Sequence, residues 1–480
     1  MFLSSSINFS IFSSECGMSK RPNILFLMSD EHRPDVTGYA GNDIVKTPTL
    51  DWLANTGVTF SNAYTPSPIC VPGRQCMMSG QLPKTCNCEG WIDLAVGHMT
   101  FARRFSQYAY QTVACGKLHH FGSDIMQGWT QRPAGIGDIH TTPPFIDGKI
   151  EAEFKRYERP LSDVKWNDVK EVKRAGIGRS SIHVKDQQAT ETACEFIEEY
   201  FNSPAYDREQ LHQPLLLKVS LVAPHYPYQT SADKFGYYLN RDKPFLNQQV
   251  FEHPFLSQRQ VRVGEDVNER EMRRATAAYY GMIQTLDEHF AQVIQKLQYV
   301  GQDLDDWIIV YVSDHGEMLG EHGIWEKQKF FEASARVPMI IRWPKGFAPG
   351  QGGKVVDQNV NLCDLFATLC DLAGLDVPDG LDSRSLVPLL NGDSSNWNNE
   401  TISQFTQNNV MIKQDDLKYQ YYGPDMPEVL FDLSRDPNEL TNFIDDPKYT
   451  QQLASFRKRL ASLGHGPDAD SNYVNAGYVQ

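Results

Sequence analysis

The amino-acid sequence predicts an α/β fold in which helices flank a mostly parallel central sheet in one large domain, with a small α+β domain at the C-terminus. Apolar runs of strand length alternate with helical segments along most of the chain. These runs are apolar on both faces, which is typical of central strands that helices cover on either side. The runs are Asn23–Met28, Pro214–Ala223, Trp307–Val312 and Val337–Trp343.

Two helices can be placed from their boundary residues and their periodicity. Thr47 and Pro48 precede the segment LDWLA, an order that is typical of an N-cap followed by a proline in the first turn. The stretch from Glu269 to Leu297 has apolar residues at helical spacing, no proline and a single glycine, Gly281. We therefore predict a helix that begins near Pro48 and a long helix over Glu269–Leu297.

Changes in composition predict the domain organisation. After Leu386–Gly392 the sequence becomes polar, with the stretch NGDSSNWNNE, which is typical of a linker. We predict one large domain over residues 21–392 and a small C-terminal domain over residues 393–480. Strand-like segments at Lys418–Tyr422 and Val429–Leu433 place β structure in the second domain.

Residues 1–20 form a leader that we expect to be disordered or to be an over-extended start. The leader lacks a basic segment, and serines interrupt each apolar run, so it makes a poor signal peptide. Met18 is followed by SKRPNILFLM, which is typical of a natural start. A cytoplasmic location is therefore expected, and a periplasmic or secreted location is the alternative if the leader acts as a weak signal peptide.

Net charge and hydropathy indicate which kinds of molecule the protein is not expected to bind. The chain has 45 Lys and Arg against 60 Asp and Glu, a formal charge of −15, which argues against nucleic acid because binding it requires a basic surface. An anionic substrate then requires a local cluster of cations. No run approaches the ~18 apolar residues of a membrane-spanning helix, so we expect no membrane partner.

The nine cysteines are scattered along the chain, and this odd number makes a poor disulfide framework. Cys86 and Cys88 are separated by one residue and have no second pair of matching spacing, so a structural zinc site is not expected. We expect most of the cysteines to be buried free thiols.

Five groups of polar residues follow predicted strands or begin helices, where α/β proteins place their sites. Each group alone has an ordinary explanation, because acidic pairs are usually solvated, single cysteines are usually inert, and a histidine between prolines usually belongs to a turn. Together, acids and histidines at the ends of several strands are what a metal-assisted hydrolase requires. The groups are Asp30-Glu31, Cys70 to Arg74, Lys117-Leu118-His119, Pro224 to Pro227 around His225, and Ser313-Asp314-His315-Gly316, with Lys327 downstream.

On these residues the chain resembles the type I, formylglycine-dependent sulfatases of the alkaline-phosphatase superfamily. Cys70 to Arg74 matches the C-x-P-x-R modification signature of that family, and Met78 to Pro83 is similar to the segment that follows it. The resemblance extends from about Arg21 to Phe443 and implies an alkaline-phosphatase-like fold. Its further matches, in chain order, are NILFLMSDE, TPTLDWLA, GK-L-H, APHYPY, SDHGEMLGEHGIWEK, ARVPMIIRWP, GLDSRSLVPLLNG and LFDLSRDPNELTNF.

The resemblance implies that Cys70 is converted into formylglycine by a formylglycine-generating or sulfatase-maturing enzyme. A hydrated formylglycine carries two hydroxyls, of which one attacks sulfur and displaces the alcohol. Deprotonation of the second hydroxyl then expels sulfate and restores the aldehyde. A serine in this position would be trapped as a stable sulfate ester, so the aldehyde is a mechanistic requirement.

A divalent metal is also implied, with Asp30, Glu31, Asp314 and His315 as ligands and the modified Cys70 completing the site. Calcium is expected because the ligands are rich in oxygen. Two departures from the family pattern leave manganese or magnesium as alternatives: Glu31 stands where a second Asp is common, and His315 stands where some branches have Asn.

The remaining roles are carried over from the family as expectations. Arg74, Lys117 and Lys327 would bind the sulfate group and stabilise charge in the transition state. His119 would assist the formylglycine hydroxyl, and His225 is the candidate general acid, with Lys327 as a group that could share this role. His120, beside His119, is expected to be structural.

Several functional alternatives stay open at this point. A phosphonate monoester hydrolase or phosphodiesterase of the same superfamily would share the core motifs, and a non-catalytic protein that binds sulfated glycans is a third candidate. Among sulfatase substrates we favour a carbohydrate sulfate, because the loops Gln127–Lys185 and Tyr226–Val267 are long, while aryl sulfate and choline sulfate stay open. The sequence does not predict the oligomeric state.

Overall fold

The protein is represented by a computed structural model that describes residues 21–120, 122–134, 167–203, 213–246, 249–345, 352–406, 408–467 and 469. The predicted leader lies outside the described residues, as do residues 135–166 of the predicted specificity loop and residues 470–480 of the predicted C-terminal domain. No helix in the described ranges is long and apolar enough to cross a membrane.

Strands and helices alternate through the first two thirds of the chain. The strands are β1 (Asn23–Asp30), β2 (Val58–Phe60), β3 (Ala63–Tyr64), β4 (Gln111–Gly116), β5 (Gln131–Ala134), β6 (Gly176–Ile177), β7 (Leu215–Pro224), β8 (Gln229–Thr230), β9 (Trp307–Ser313), β10 (Met339–Arg342), β11 (Lys354–Val356), β12 (Val360–Asn361), β13 (Glu400–Phe405), β14 (Asn409–Gln414), β15 (Leu417–Tyr422) and β16 (Val429–Asp432). The α-helices of the described residues are α1 (Pro48–Thr56), α2 (Cys70–Ser79), α3 (Phe101–Gln107), α4 (Asn167–Arg174), α5 (Ser181–Asn202), α6 (Ala232–Tyr238), α7 (Glu269–Tyr299), α8 (Glu332–Ala335), α9 (Leu365–Leu372), α10 (Val387–Leu390) and α11 (Thr450–Ser462).

Within the described ranges, the central sheet has eight strands in the order β11-β2-β10-β9-β1-β7-β4-β5. Strands β9, β1, β7, β4 and β5 run parallel, with Leu25 of β1 opposite both Ile309 of β9 and Leu217 of β7. Strand β10, predicted from its apolar run, is antiparallel to β9 and β2. The mostly parallel sheet is confirmed, and all four apolar runs form strands in it. The carboxyl ends of the parallel strands consequently share one edge.

Helices cover both faces of this sheet, as the two-sided apolar runs predicted. Side chains of β1 alternate: Leu25 and Leu27 pack in the core that contains α5 and α7, whereas Ile24, Phe26 and Met28 pack in the core that contains α3 and α9. All five side chains are fully buried. Burial of this kind contributes about 1.5–3 kcal/mol for each large apolar side chain and fixes the sheet between the two helical layers.

The two predicted helices are present, but one begins for a different reason. Helix α7 begins after Asn268, whose side chain and that of Glu271 form a reciprocal capping box. Helix α1 begins at Pro48 after Thr47, but the Thr47 side chain does not cap it. Instead, Thr47 Oγ1 donates to Asp51 Oδ1 at 3.0 Å and accepts from the Gly38 backbone N–H at 2.8 Å.

A separate antiparallel sheet follows, in the order β13-β14-β15-β16, and it contains both predicted C-terminal strands. One face packs on α11, and the other packs against Phe330 and Phe331 of the main sheet's connections. At this junction the buried Lys418 Nζ lies 2.8 Å from Glu332 Oε1 and 2.7 Å from Glu439 Oε1. The α+β character of this region is confirmed, while a domain boundary at residue 392 stays a prediction.

Candidate active site

The parallel strands deliver four of the five predicted groups to one edge of the sheet. Strand β1 ends at Asp30, β4 is followed by Lys117, β7 is followed by His225, and β9 is followed by Asp314. In register, Asp30 lies opposite Pro224 of β7, and Ser29 lies opposite Ser313 of β9. The site is therefore built by topology, because parallel neighbours end at the same edge.

Helix α2 brings the fifth group to the same edge. Cys70 is its first residue, and all ten residues of the helix are buried. A side chain on Gly73 would lie 2.9 Å from the Ser67 carbonyl oxygen and 3.3 Å from that of Asp314, so glycine permits the helix to approach the loop after β9. Arg74 lies one turn after Cys70, on the same side of the helix.

Arg74 holds two acidic side chains of the site together. Its Nε donates to Asp314 Oδ2 at 2.7 Å, and its Nη2 donates to Asp30 Oδ2 at 2.8 Å. Its Nη1 donates to the Lys117 carbonyl oxygen at 2.8 Å and to Ser220 Oγ at 2.9 Å. The Arg74 side chain is completely buried. Water therefore does not screen its positive charge, and its hydrogen bonds to the two carboxylates are strong and fix their orientation.

Four candidate metal ligands converge beside this arginine. Ligand atoms of Asp30, Cys70, Asp314 and His315 all lie within 4.8 Å of one another, and the same is true of Asp30, Glu31 and His225. Oε1 of Glu31 is buried and has no hydrogen-bond partner among the described residues. A buried carboxylate oxygen without a donor is costly unless a cation binds it, so these residues fit a divalent ion.

Two lysines pair with the acids at the carboxyl end of β1, Asp30 and Glu31. Lys117 Nζ lies 2.7 Å from Asp30 Oδ2, and Lys327 Nζ lies 2.7 Å from Glu31 Oε2. Burial by itself would raise the pKa of Asp30, but the positive charges of Lys117 and Arg74 outweigh it. The pKa of Asp30 therefore lies well below its ordinary value. Burial raises the pKa of Glu31 well above its ordinary value, because Lys327 compensates only part of that cost.

The unmodified Cys70 thiol is a poor nucleophile. Its Sγ lies 3.2 Å from His315 Nε2, 3.7 Å from Asp30 Oδ1 and 3.8 Å from Lys117 Nζ. Burial, followed by the charge of Asp30, raises the pKa of the thiol to about 12. At neutral pH the thiol is therefore protonated, which is the opposite of the low pKa that nucleophilic cysteines need.

His225 occupies the most open position of the predicted site, with a side chain that is 16% exposed against 5% for Lys327. Its Nε2 lies 2.8 Å from Lys327 Nζ, and its Nδ1 lies 2.8 Å from the Tyr226 carbonyl oxygen. Burial, together with Lys327 and Lys117, lowers the pKa of His225 well below its ordinary value. The neutral ring therefore donates from Nδ1 to Tyr226 and accepts from Lys327 at Nε2.

The adjacent histidines His119 and His120 differ in their surroundings. His119 has a positive φ of 59°, its ring centroid lies 5.7 Å from that of Trp91, and its carbonyl oxygen accepts from Gln75 Nε2 at 3.1 Å. His120 is buried, and its Nδ1 lies 3.3 Å from the Ile125 carbonyl oxygen, which agrees with a structural role. His119 thus borders the site, although it is not one of the clustered ligand atoms.

Three supporting residues were missed at the sequence level. Tyr279 of α7 donates to the Glu31 carbonyl oxygen at 2.7 Å, and Asp186 of α5 accepts from the backbone N–H groups of Val222 and Ala223, which precede His225. Glu317 accepts from the Tyr228 hydroxyl at 3.0 Å and is buried behind Glu31. Glu317 belongs to the motif SDHGEMLGEHGIWEK, one of the sequence segments that carry the family resemblance. Tyr279 and Asp186 lie on helices, where the apolar periodicity predicts which positions are buried but not which of them contact a site.

Family comparisons agree with this geometry. The model of the family described as Sulfatase matches residues 22–375, and that described as N-sulphoglucosamine sulphohydrolase, C-terminal, matches residues 320–465. An arylsulfatase of Clostridium perfringens is 28% identical over 494 residues, which cover 95% of this chain and 98% of the relative. A choline-sulfatase of Rhizobium meliloti is 32% identical over 456 residues, which cover 89% of this chain and 83% of the relative.

Solved structures share the fold. A phosphonate monoester hydrolase of Agrobacterium radiobacter matches with a TM-score of 0.73 and 24% identity, over 92% of this chain and 95% of that one. A protein solved in complex with its substrate D-glucosamine-2-N,6-O-disulfate matches with a TM-score of 0.68 and 19% identity, over 92% and 97% of the two chains. With the family match over most of its length, this chain belongs to the sulfatase family of the alkaline-phosphatase superfamily and hydrolyses sulfate esters.

Proposed function

We propose that the mature enzyme cleaves the sulfate monoester of a carbohydrate with a formylglycine nucleophile derived from Cys70 and a divalent cation, with calcium as the expected ion. The observation that carries the proposal is the convergence of Asp30, Cys70, Asp314 and His315 within 4.8 Å at the carboxyl edge of the sheet. Three buried cations lie beside this cluster, as an anionic substrate requires in a chain of charge −15.

Hydrated formylglycine supplies a hydroxyl nucleophile that the protonated thiol cannot provide. Residue 70 begins α2, so the rigid helix fixes the nucleophile against the edge of the sheet. Lys117, 3.8 Å from Cys70 Sγ, holds a positive charge beside the nucleophile and attracts the sulfate oxygens. Positioning of this kind turns a bimolecular attack into one within a single complex.

A divalent ion held by Asp30, Glu31, Asp314 and His315 would lower the pKa of a neighbouring hydroxyl and reduce repulsion between nucleophile and sulfate. Arg74 contributes by fixing Asp30 and Asp314, because its described hydrogen bonds go to them and to three neighbouring groups of the sheet edge. We therefore assign Arg74 to orientation of the metal ligands, and leave sulfate binding to the two lysines.

The leaving oxygen requires a proton, and we assign its delivery to His225 together with Lys327. Their nitrogens are 2.8 Å apart, and Lys327 donates to the neutral ring at Nε2, so Lys327 supplies the proton that His225 then delivers to the leaving oxygen. The greater exposure of His225 supports this assignment, since the alcohol must depart towards solvent. His119 is proposed to assist the nucleophilic hydroxyl, as the family resemblance implies.

Maturation is tested first, by mass spectrometry of the protein after co-expression with a formylglycine-generating or sulfatase-maturing enzyme. Trypsin releases Thr47–Arg74 as one peptide, because no lysine or arginine lies between its ends. An aldehyde in place of the thiol is expected. Full sulfatase activity with a wholly unmodified peptide would reject the proposed nucleophile. Since every residue of α2 is buried, the maturing enzyme is proposed to act on the segment before α2 has packed.

Substrate class is tested with a panel of sulfated mono- and oligosaccharides, an aryl sulfate and choline sulfate. The carbohydrate preference rests on the length of the segments Gln127–Lys185 and Tyr226–Val267 in the sequence, and the highest kcat/KM on a sugar sulfate is expected. The highest value on choline sulfate would place the chain with its Rhizobium meliloti relative instead.

A second candidate function is hydrolysis of a phosphonate monoester or phosphodiester, which the fold of the Agrobacterium radiobacter structure favours. An aryl sulfate and an aryl phosphodiester compared at equal enzyme concentration separate the two candidates. We expect a higher kcat/KM on the sulfate.

A further inference from the structure

A second group of reactive side chains lies behind α2, at the opposite end of that helix from Cys70. It is a buried cluster of four free thiols, which we call the thiol cluster, formed by Cys76, Cys86, Cys88 and Cys363. Cys76 belongs to α2, Cys86 and Cys88 lie in the connection between α2 and α3, and Cys363 follows β12. The proposed sulfatase chemistry uses none of these thiols.

One pair in the thiol cluster is close enough to react. Sγ of Cys76 and Sγ of Cys86 are 3.6 Å apart, whereas the sulfurs of a disulfide are separated by about 2.05 Å. The other two sulfurs contact backbone carbonyls, Cys88 Sγ at 3.7 Å from that of Cys86 and Cys363 Sγ at 3.3 Å from that of Gln81. The pair Cys76 and Cys86 is therefore the candidate for a disulfide within the thiol cluster.

The arrangement favours a bond between two sulfurs over a metal site. A tetrahedral thiolate site requires three or four sulfurs around one point. Among the described residues, the groups whose ligand atoms lie within 4.8 Å of one another are those of the active site, and the thiol cluster is not among them. The sulfurs of Cys76 and Cys86 are in contact, and the thiols of Cys88 and Cys363 also reach backbone carbonyls, so the arrangement is a dithiol pair with thiol neighbours.

We propose that Cys76 and Cys86 are a reversible disulfide site, oxidised by exchange with a small-molecule disulfide. The thiolate of Cys86 attacks one sulfur of the small disulfide and releases one small thiolate. Cys76, after loss of its proton, attacks the Cys86 sulfur of the mixed disulfide and releases the second small thiol. Two protein thiols are oxidised, and one small disulfide is reduced to two thiols.

Cys86 is the thiol placed to attack first. Its neighbours in sequence, Thr85 and Asn87, are exposed, so its backbone lies directly below the surface. Hydrogen bonds from the Cys76 and Cys88 thiols lower the pKa of Cys86 well below its ordinary value. Cys76 is completely buried in α2 and becomes reactive only once Cys86 carries the mixed disulfide.

The disulfide would link the connection between α2 and α3, which borders the active site, covalently to α2, the helix that begins with Cys70. Beyond Cys86, the same connection supplies Trp91, whose ring lies 5.7 Å from that of His119. It also supplies Asp93, whose Oδ1 accepts from Gln75 Nε2 of α2 at 3.3 Å. Closing the short loop from Cys76 to Cys86 restricts the unfolded chain, so the oxidised protein should melt a few degrees higher than the reduced protein.

The test is peptide mapping of the full-length protein after incubation with glutathione disulfide, with free thiols blocked during denaturation. Trypsin separates Gln75–Lys84 from Thr85–Arg103, so a Cys76–Cys86 bond joins two peptides that are otherwise distinct. We expect the joined peptides in the wild type and in the matched control Cys88→Ser, and their loss after dithiothreitol. Cys86→Ser and, as a second variant in the helix, Cys76→Ala should abolish both the joined peptides and the rise in Tm.

Four outcomes would overturn the proposal: free thiols throughout, a stable mixed disulfide of Cys86 with glutathione, a bond between Cys86 and Cys88 within one peptide, or stoichiometric zinc that Cys86→Ser removes. Because thiol mapping needs no catalytic activity, the result is independent of whether Cys70 is matured.

Discussion

Replacement of Arg74 by lysine tests whether this residue orients the metal ligands. Arg74 makes charged hydrogen bonds of 2.7 Å to Asp314 and 2.8 Å to Asp30, from nitrogens of one rigid fork. A lysine presents one nitrogen and cannot reproduce both bonds together with those to the Lys117 carbonyl and Ser220. Leaving one buried carboxylate without its partner costs about 3 kcal/mol, from the range for broken buried pairs.

If that cost falls on the catalytically competent arrangement, kcat/KM should decrease by roughly 100-fold, since about 1.4 kcal/mol corresponds to a factor of ten. The assays are kcat/KM on an aryl sulfate, metal content of the purified protein, and the free energy of unfolding in urea. We expect Arg74→Lys to lower all three.

Arg342→Lys is the matched control, because Arg342 is a buried arginine at the end of β10 that binds Asp305 and the Leu304 carbonyl oxygen away from the site. The control should lose stability and keep the metal content and the kcat/KM of the folded fraction. An Arg74→Lys enzyme with kcat/KM within about threefold of wild type and unchanged metal content refutes the orienting role.

The other predictions concern the nucleophile, the metal, proton transfer and acid stability. Cys70→Ala should lower kcat by more than about 10⁴-fold while Tm stays close to that of the wild type, because the side chain serves chemistry; activity near wild type in a folded variant contradicts it. Chelation should abolish turnover and added calcium should restore it, whereas recovery with manganese alone would favour a transition metal. His225→Ala should reduce kcat/KM by about 10²–10⁴-fold on a sugar sulfate and only slightly on an activated aryl sulfate. Lys327→Ala should affect both substrates similarly if its main part is to hold the sulfate group that both share; equal losses for His225→Ala would remove His225 as general acid. Burial lowers the pKa of His183 to about 4, so the unfolded chain binds a proton at higher pH. As the pH falls from about 6.5 to 4, this residue alone should lower the free energy of unfolding by about 1.4 kcal/mol per pH unit. Ser180 and His183 form a capping box, and glutamine is an ordinary residue at that position of the motif, so His183→Gln should keep the helix start and lessen the slope in urea unfolding at pH 5 and 6; an unchanged slope contradicts the assignment.

The strands of the main sheet could be predicted because both of their faces are buried. The run Asn23–Met28 is apolar at every position except Asn23, and the structure extends it only to Asp30. Direction could not be predicted in the same way: β10 is as apolar as β9 and runs antiparallel to it. A fully buried strand is apolar whichever way it runs, so its direction depends on the length and path of the connections.

The candidate site residues were found because their chemical types recur in a fixed order along the chain. Their partners were missed where they act from helices, as Tyr279 and Asp186 do. In α7 the buried residues carry the helical periodicity, and a tyrosine in that pattern resembles any other core residue. The hydroxyl that supports the Glu31 backbone can be recognised only when the helix has been placed against β1.

Charge balance explains why the core of the site cannot by itself distinguish sulfur from phosphorus. The carboxyls of Asp30, Glu31 and Asp314 are matched by Arg74, Lys117 and Lys327, and the buried Glu317 adds a fourth acid. A bound divalent ion therefore leaves the site positive and attractive to an anion. A sulfate monoester and a phosphonate monoester or phosphodiester all carry one negative charge and have similar tetrahedral centres. The same field therefore stabilises both kinds of substrate, and discrimination between them falls to the groups that contact the rest of the ester, in the connections beyond Trp91 and Tyr226.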